Sequence, residues 1–135
     1  MYHIEKQGYF TDTMTVGHDG IVDLELPIEI HLDDVIAAVG AAQRQINAAQ
    51  EVLKRTYESE NALDMAEATH GVISAYKQLI YGLFGEAVAD KLDAYYRGRW
   101  SEIMHDTCPY VYGVVIPVIN QQQADISADY MSAMR

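Results

Sequence analysis

The stretch IVDLELPIEIHLDDVIAAVG, residues 21–40, decides the fold, because its hydrophobic period changes partway along. Up to Ile30 the pattern alternates: Val22, Leu24, Leu26, Ile28 and Ile30 are separated by Asp23, Glu25 and Glu29. Period two is the signature of a half-buried strand. From Asp33 the spacing changes to three and four through Val35, Val39, Ala42, Ile46, Ala49, Leu53 and Tyr57, one apolar stripe on a helix. The chain therefore passes from sheet to helix at residues 31–33, where Asp33 or Asp34 is placed to cap the helix and meet its positive end.

Upstream, Thr13 to Val16 also alternates, and Gly17-His18-Asp19-Gly20 is turn chemistry suited to positive φ. The two runs predict a β-hairpin, with Pro27 confining its strand to an edge. A lone hairpin is marginal in water, so it must lie on the helices or pair with another chain. Downstream, a first helix over about 33–58 would be roughly 39 Å long. The polar break Glu58-Ser59-Glu60-Asn61 ends it, with Ser59 or Asn61 as the next cap. A second helix carries Leu63, Ala66, Ile73, Tyr76, Leu79 and Ile80, with Gly71 inside it as expected of a tight helix crossing, and Gly85 as its stop. Glu86 to Tyr96 reads as a third helix with Val88, Leu92 and Tyr95 inward. Arg97-Gly98-Arg99 is a turn. A fourth helix starts near Trp100 and carries Ile103, Met104, Val111, Val115 and Ile119, kinked or broken by Pro109 and Pro117. The expectation is a single domain over 1–135, mainly α: about four helices preceded by an N-terminal β-hairpin. It divides into an acidic hairpin segment (1–31), a helical body (32–120) and a C-terminal tail (121–135) that frays or is helical only against a partner.

Composition narrows the function. The 135 residues carry 20 acids and 9 bases, a net charge of −11. Residues 1–34 hold eight acids against Lys6 alone, which is −7 of that total. Such a chain is not expected to grip nucleic acid or an anionic membrane. Cys108 stands alone, so no internal disulfide or cysteine-based zinc site forms. Met1 to Glu5 shows no signal-peptide character, and no apolar run spans a bilayer. The five histidines show no metal-binding spacing. His31 with Asp33 and Asp34 reads as a capping cluster before a cation site. His105 and Cys108, at i,i+3, are the one pairing a small enzyme could use, and a small buried thiol explains Cys108 more simply. Glu58/Glu60 and Asp90/Asp93 read as solvated faces. The glycines, among them Gly8, Gly17 and Gly20, form no phosphate cradle.

The aromatics are the densest feature. Tyr76, Tyr81, Phe84, Tyr95, Tyr96, Trp100, Tyr110 and Tyr112 fall close together. They read first as a tyrosine-rich core. The second reading is a protein-protein surface at Tyr95, Tyr96, Arg97, Arg99 and Trp100, since Tyr, Arg and Trp are the usual interface anchors. As the densest positive spot, that surface would attract the acidic end of a neighbouring copy, giving a head-to-tail ring or spiral.

Residues 79–96 (LIYGLFGEAVADKLDAYY), then Arg99-Trp100, Pro109 and Val114 to Ile119 (VVIPVI), carry a resemblance. They resemble the helical part of tail assembly chaperones of long-tailed phages and prophages of Gram-positive bacteria, with looser agreement over Ile21 to Val35. The resemblance implies a non-enzymatic factor without cofactor or metal. It would act in the bacterial host cytoplasm and be absent from the mature virion. It would self-associate and bind the tape measure protein and the tail tube protein. The six methionines and the acidity are compatible with holding helical clients in solution. The competing readings are another small phage structural protein (a connector or completion factor), a small enzyme using His105/Cys108, and an acidic DNA mimic.

Overall fold

The structure, a computed structural model, describes residues 1–5, 9–59 and 61–134. Lys6, Gly8, Glu60 and Arg135 lie outside the described residues, and with Glu60 goes the centre of the polar break expected at 58–61. Strands β1 (Phe10–His18) and β2 (Ile21–Ile30) pair antiparallel. Four helical rods follow: α1 (Leu32–Ser59), α2 (Ala62–Phe84), α3 (Glu86–Tyr95), and a last one composed of α4 (Trp100–Tyr110), a π segment (Val111–Val115) and α5 (Ile116–Ala133). The architecture is the one expected from the sequence: mainly α, with an N-terminal hairpin.

The hairpin turns on Asp19 (φ 50°) and Gly20 (φ 78°), two consecutive left-handed residues whose twist matches that of the flanking strands. Leu26, Ile28 and Ile30, every second residue of β2, are buried, as is Met14 of β1. Each large side chain so buried contributes about 1.5–3 kcal/mol, which offsets the weakness of a two-stranded sheet. β2 is the strand set against α2 and α3.

α1 starts at Leu32, one residue before the expected cap. Asp33 and Asp34 therefore lie within its first turn, where they meet the helix dipole but do not cap. Asn61 does cap α2: its side chain accepts the N–H groups of Leu63 and Asp64, each at 3.1 Å. Gly85 (φ 86°) ends α2 and starts α3, its own N–H donating to the Tyr81 carbonyl.

The apolar seam of α1 is buried at Val35, Val39, Ala42 and Ile46, then runs out: Ala49 and Leu53 are half-buried and Tyr57 is exposed. The facing half of α2 explains this, since Leu63 and Ala66, expected inward, are exposed and only Ala68 is buried before Ala75. The α1–α2 pair thus extends past the core as a two-helix arm. The tight crossing is also elsewhere. A Cβ on Gly71 would meet nothing within 4 Å, whereas one on Gly82 would sit 3.0 Å from the Ala38 Cβ.

Neither proline breaks the last rod. Pro109 sits inside α4, and Pro117 is the second residue of α5, after the π segment and Ile116. In that segment the Ile116 N–H donates to the Val111 carbonyl, five residues back. The widened turn eases the clash that the Pro117 ring would make with the carbonyl four residues back in a regular helix. The helix then continues without a break at 120 and through Ala133, where a tail that frays or is helical only against a partner was expected, although residues 124–134 are exposed.

The two glycines of α2 give opposite expectations. Gly71→Ala should raise unfolding free energy in urea by about 1 kcal/mol, the helix-propensity gain. Gly82→Ala should lose that gain to the contact with Ala38. Equal gains at both sites would show that the α1–α2 spacing is not set at Gly82.

Candidate protein-interaction surface

The α3–α4 turn brings together the five residues singled out by the sequence. α3 closes with a Schellman motif: the Gly98 N–H donates to the Asp93 carbonyl (2.9 Å) and the Arg97 N–H to the Ala94 carbonyl (3.3 Å). Arg97 occupies the left-handed position at φ 54°, where glycine is usual and a side chain costs about 1–2 kcal/mol. The geometry throws Arg97 and Arg99 outward. Both are exposed, and among the described residues neither lies within 4 Å of a carboxylate.

The aromatic members behave differently. Trp100 is buried, its Nε1 donating to Asp93 Oδ1 at 2.7 Å. It belongs to the core under the turn and is no surface anchor. Tyr95, expected inward, is exposed, and its hydroxyl donates to Asp23 of the hairpin at 2.6 Å. Tyr96 is half-buried, stands edge-on to Tyr95 at 5.4 Å and donates to Asp106. The positive spot is completed by Lys77, whose Nζ lies 5.5 Å from the Trp100 ring centroid. Lys77 was not singled out by the sequence. Its one local signal is Tyr81, four residues on in the same helix. Lys77, Arg99 and His70 line a groove of about 450 Å³ between α2 and the start of α4. The acidic hairpin, expected to meet this spot from a neighbouring copy, already reaches it within the chain through Asp23.

The remaining tyrosines fasten the core to its acidic rim. Tyr76 is buried and donates to Thr107, whose own proton goes to the Ile103 carbonyl. Tyr81 donates to Asp90 (2.6 Å) and Tyr110 to Asp12 (2.8 Å). Asp90 and Asp93, read as a solvated face, are thus both acceptors for aromatic side chains. Burial, then the bond to the carboxylate, holds Tyr96 and Tyr110 well above the usual phenol range. Tyr81 is pushed up to about 12, first by its bond to Asp90. Tyr95 and His18 hold the Asp23 carboxyl below its ordinary value.

The other candidate chemistry is dispersed. Cys108 is half-buried against the core, His105 is exposed, and among the described residues no hydrogen bond joins them. His31 bonds Glu29 (2.9 Å). Among the described residues no three His, Cys, Asp or Glu side chains converge as a metal site would require. Nor is any helix long and apolar enough to cross a membrane. No protein-family model matches the chain, and no curated protein or solved structure matches it.

Two outcomes follow from this geometry. A phenol that keeps its proton in the fold stabilises the fold fully below the unfolded phenol value, about 10, and that contribution is lost as pH rises through the folded value. The melting temperature should therefore fall from about pH 10 upward. Tyr110→Phe should flatten that fall while costing about 1 kcal/mol at neutral pH; an unchanged alkaline slope would count against the Tyr–Asp account. Separately, Arg97→Gly should stabilise the chain in urea by up to about 1 kcal/mol, because only the left-handed strain is relieved.

Proposed function

We propose that this chain is a phage-type tail assembly chaperone: a non-enzymatic factor that self-associates and binds tape measure and tail tube proteins in the host cytoplasm, leaving before the virion is complete. The resemblance over residues 79–119 names the family. The observation that carries the reading is α5. Over its 18 residues only Ile119 is buried, while Ile126, Tyr130, Met131 and Met134 beyond it are exposed. An exposed stripe of Ile, Tyr and Met on this helix is suited to packing against another helix. Methionine adapts to varied partners, as a holder of long helical clients requires. The α1–α2 arm adds exposed Val52, Tyr57 and Leu63 and a groove of about 510 Å³ floored by Ala49, Ala68 and Gly71. Arg97 and Arg99, free of ion pairs among the described residues, are suited to self-association.

The test is co-expression with a tape measure protein from a long-tailed phage of Gram-positive bacteria. The tagged chain should retain that protein in the soluble fraction, and Ile126→Asp with Met131→Asp should abolish the retention without lowering the melting temperature. Arg97→Glu with Arg99→Glu should reduce the mass seen by light scattering. Failure to retain the tape measure protein would overturn the reading, and recovery of the chain from finished particles by mass spectrometry would favour a connector.

A further inference from the structure

Among the described residues β1 pairs with β2 alone, which leaves its other edge without a ladder. The register identifies which of its backbone groups are free. Thr13 stands opposite Pro27, which has no N–H to give. Opposed residues in an antiparallel pair alternate between bonded and non-bonded, so Thr13 and Pro27 form a non-bonded pair, and Thr13 aims its N–H and C=O at the open edge. The Thr13 N–H accordingly donates to the Asp12 side chain at 2.8 Å. By the same alternation the backbone groups of Thr11 and Thr15 also face outward. This edge lacks the features that blunt such strands. Residues 10–18 contain no proline and no lysine, and the one irregularity, at Val16/Gly17, lies near the turn. Threonine favours extended backbone, so the edge is a good template.

Beyond the edge lies a groove of about 600 Å³, bounded by Thr13 to Gly17 on one side and by Tyr96, Asp106, Thr107 and Tyr110 on the other. One carboxylate, Asp106, lines it, and Asp12 lies beside it on β1. Asp106 accepts the Tyr96 hydroxyl and Asp12 the Tyr110 hydroxyl, and among the described residues neither carboxylate has a cation within 4 Å. Charge therefore selects the occupant. A second copy's hairpin, with its own five acids (Asp12, Asp19, Asp23, Glu25 and Glu29), would set like charges side by side, whereas a basic strand meets unneutralised carboxylates.

We propose that the β1 edge and the groove between it and α4 dock an extended, lysine- or arginine-bearing segment of a partner protein, which adds to β1 as a third strand. Main-chain bonds to Thr11 and Thr15 and to the Thr13 carbonyl supply the pairing, and Asp106, with Asp12 beside the groove, selects for positive side chains. This inference stands on the hairpin register and charge, and does not depend on the assembly reading above.

The probe is a blocked peptide of about seven residues, a common strand length, alternating lysine with valine, against its glutamate–valine counterpart. The lysine peptide should slow hydrogen exchange at the Thr11 and Thr15 amides and bind at least about tenfold more tightly than the glutamate peptide. Thr15→Pro removes an outward N–H and leaves the ladder intact, as Pro27 does on β2. It should keep the melting temperature and weaken the lysine peptide about tenfold. Should that variant unfold, Asp106→Asn keeps an acceptor for Tyr96, removes the charge, and should weaken the lysine peptide alone. Equal binding of both peptides, no protection at β1, or β1 amides already protected in a dimer of the chain would each overturn the proposal.

Discussion

Burial of Leu26, Ile28 and Ile30 against α2 and α3 is the constraint on which the rest of the molecule depends. A two-stranded sheet has too little internal cohesion to persist in water. Its alternating apolar face gains stability only where helices complete the other half of the core. That docking fixes where the acidic rim goes. It brings Asp23 to Tyr95, 72 residues later, and Asp12 to Tyr110, 98 residues later, so two hydrogen bonds close the longest loops in the chain. It also turns β2 inward and leaves β1 facing out.

The tyrosines show how an acidic chain can use its own carboxylates structurally. A phenol packs its ring on the core and presents a hydroxyl at the boundary, and an aspartate there accepts a charge-assisted bond without needing a cation. Asp12, Asp23, Asp90 and Asp106 are all occupied this way, and Asp93 serves Trp100. Among the described residues no lysine or arginine lies within 4 Å of a carboxylate. Arg97 and Arg99 therefore stand free at a strained turn, a combination more often associated with a surface in use than with stability.

The last rod follows a similar economy. Pro109 and Pro117 each remove a helical donor, and the π segment between them absorbs the distortion so that Val111, Val115 and Ile119 still face the core. A broken helix would have lost that register. Because the rod stays continuous, it carries the later part of α5, from residue 124, outward with Ile126, Tyr130 and Met131 uncovered.

Much of this was legible in the residues alone. The switch from period two to period three or four at residues 31–33, the Asp19-Gly20 turn, the Asn61 cap and the Gly85 stop are local chemistry. They act over a few residues, so a linear reading finds them. The inward faces were legible only where the pattern met a partner: Val35 to Ile46 held, while Tyr57 and Leu63 did not, because the apolar stripe on one helix says nothing about whether the opposing helix is long or bulky enough to cover it. The candidate surface divides on the same ground. Arg97 and Arg99 were placed on the surface by their turn, but the burial of Trp100, the exposure of Tyr95, the approach of Lys77 and the matching of Tyr81, Tyr95, Tyr96 and Tyr110 to their aspartates were settled only when distant segments packed. Burial and long-range hydrogen bonds are properties of pairs of surfaces, and a sequence taken by itself specifies one surface at a time.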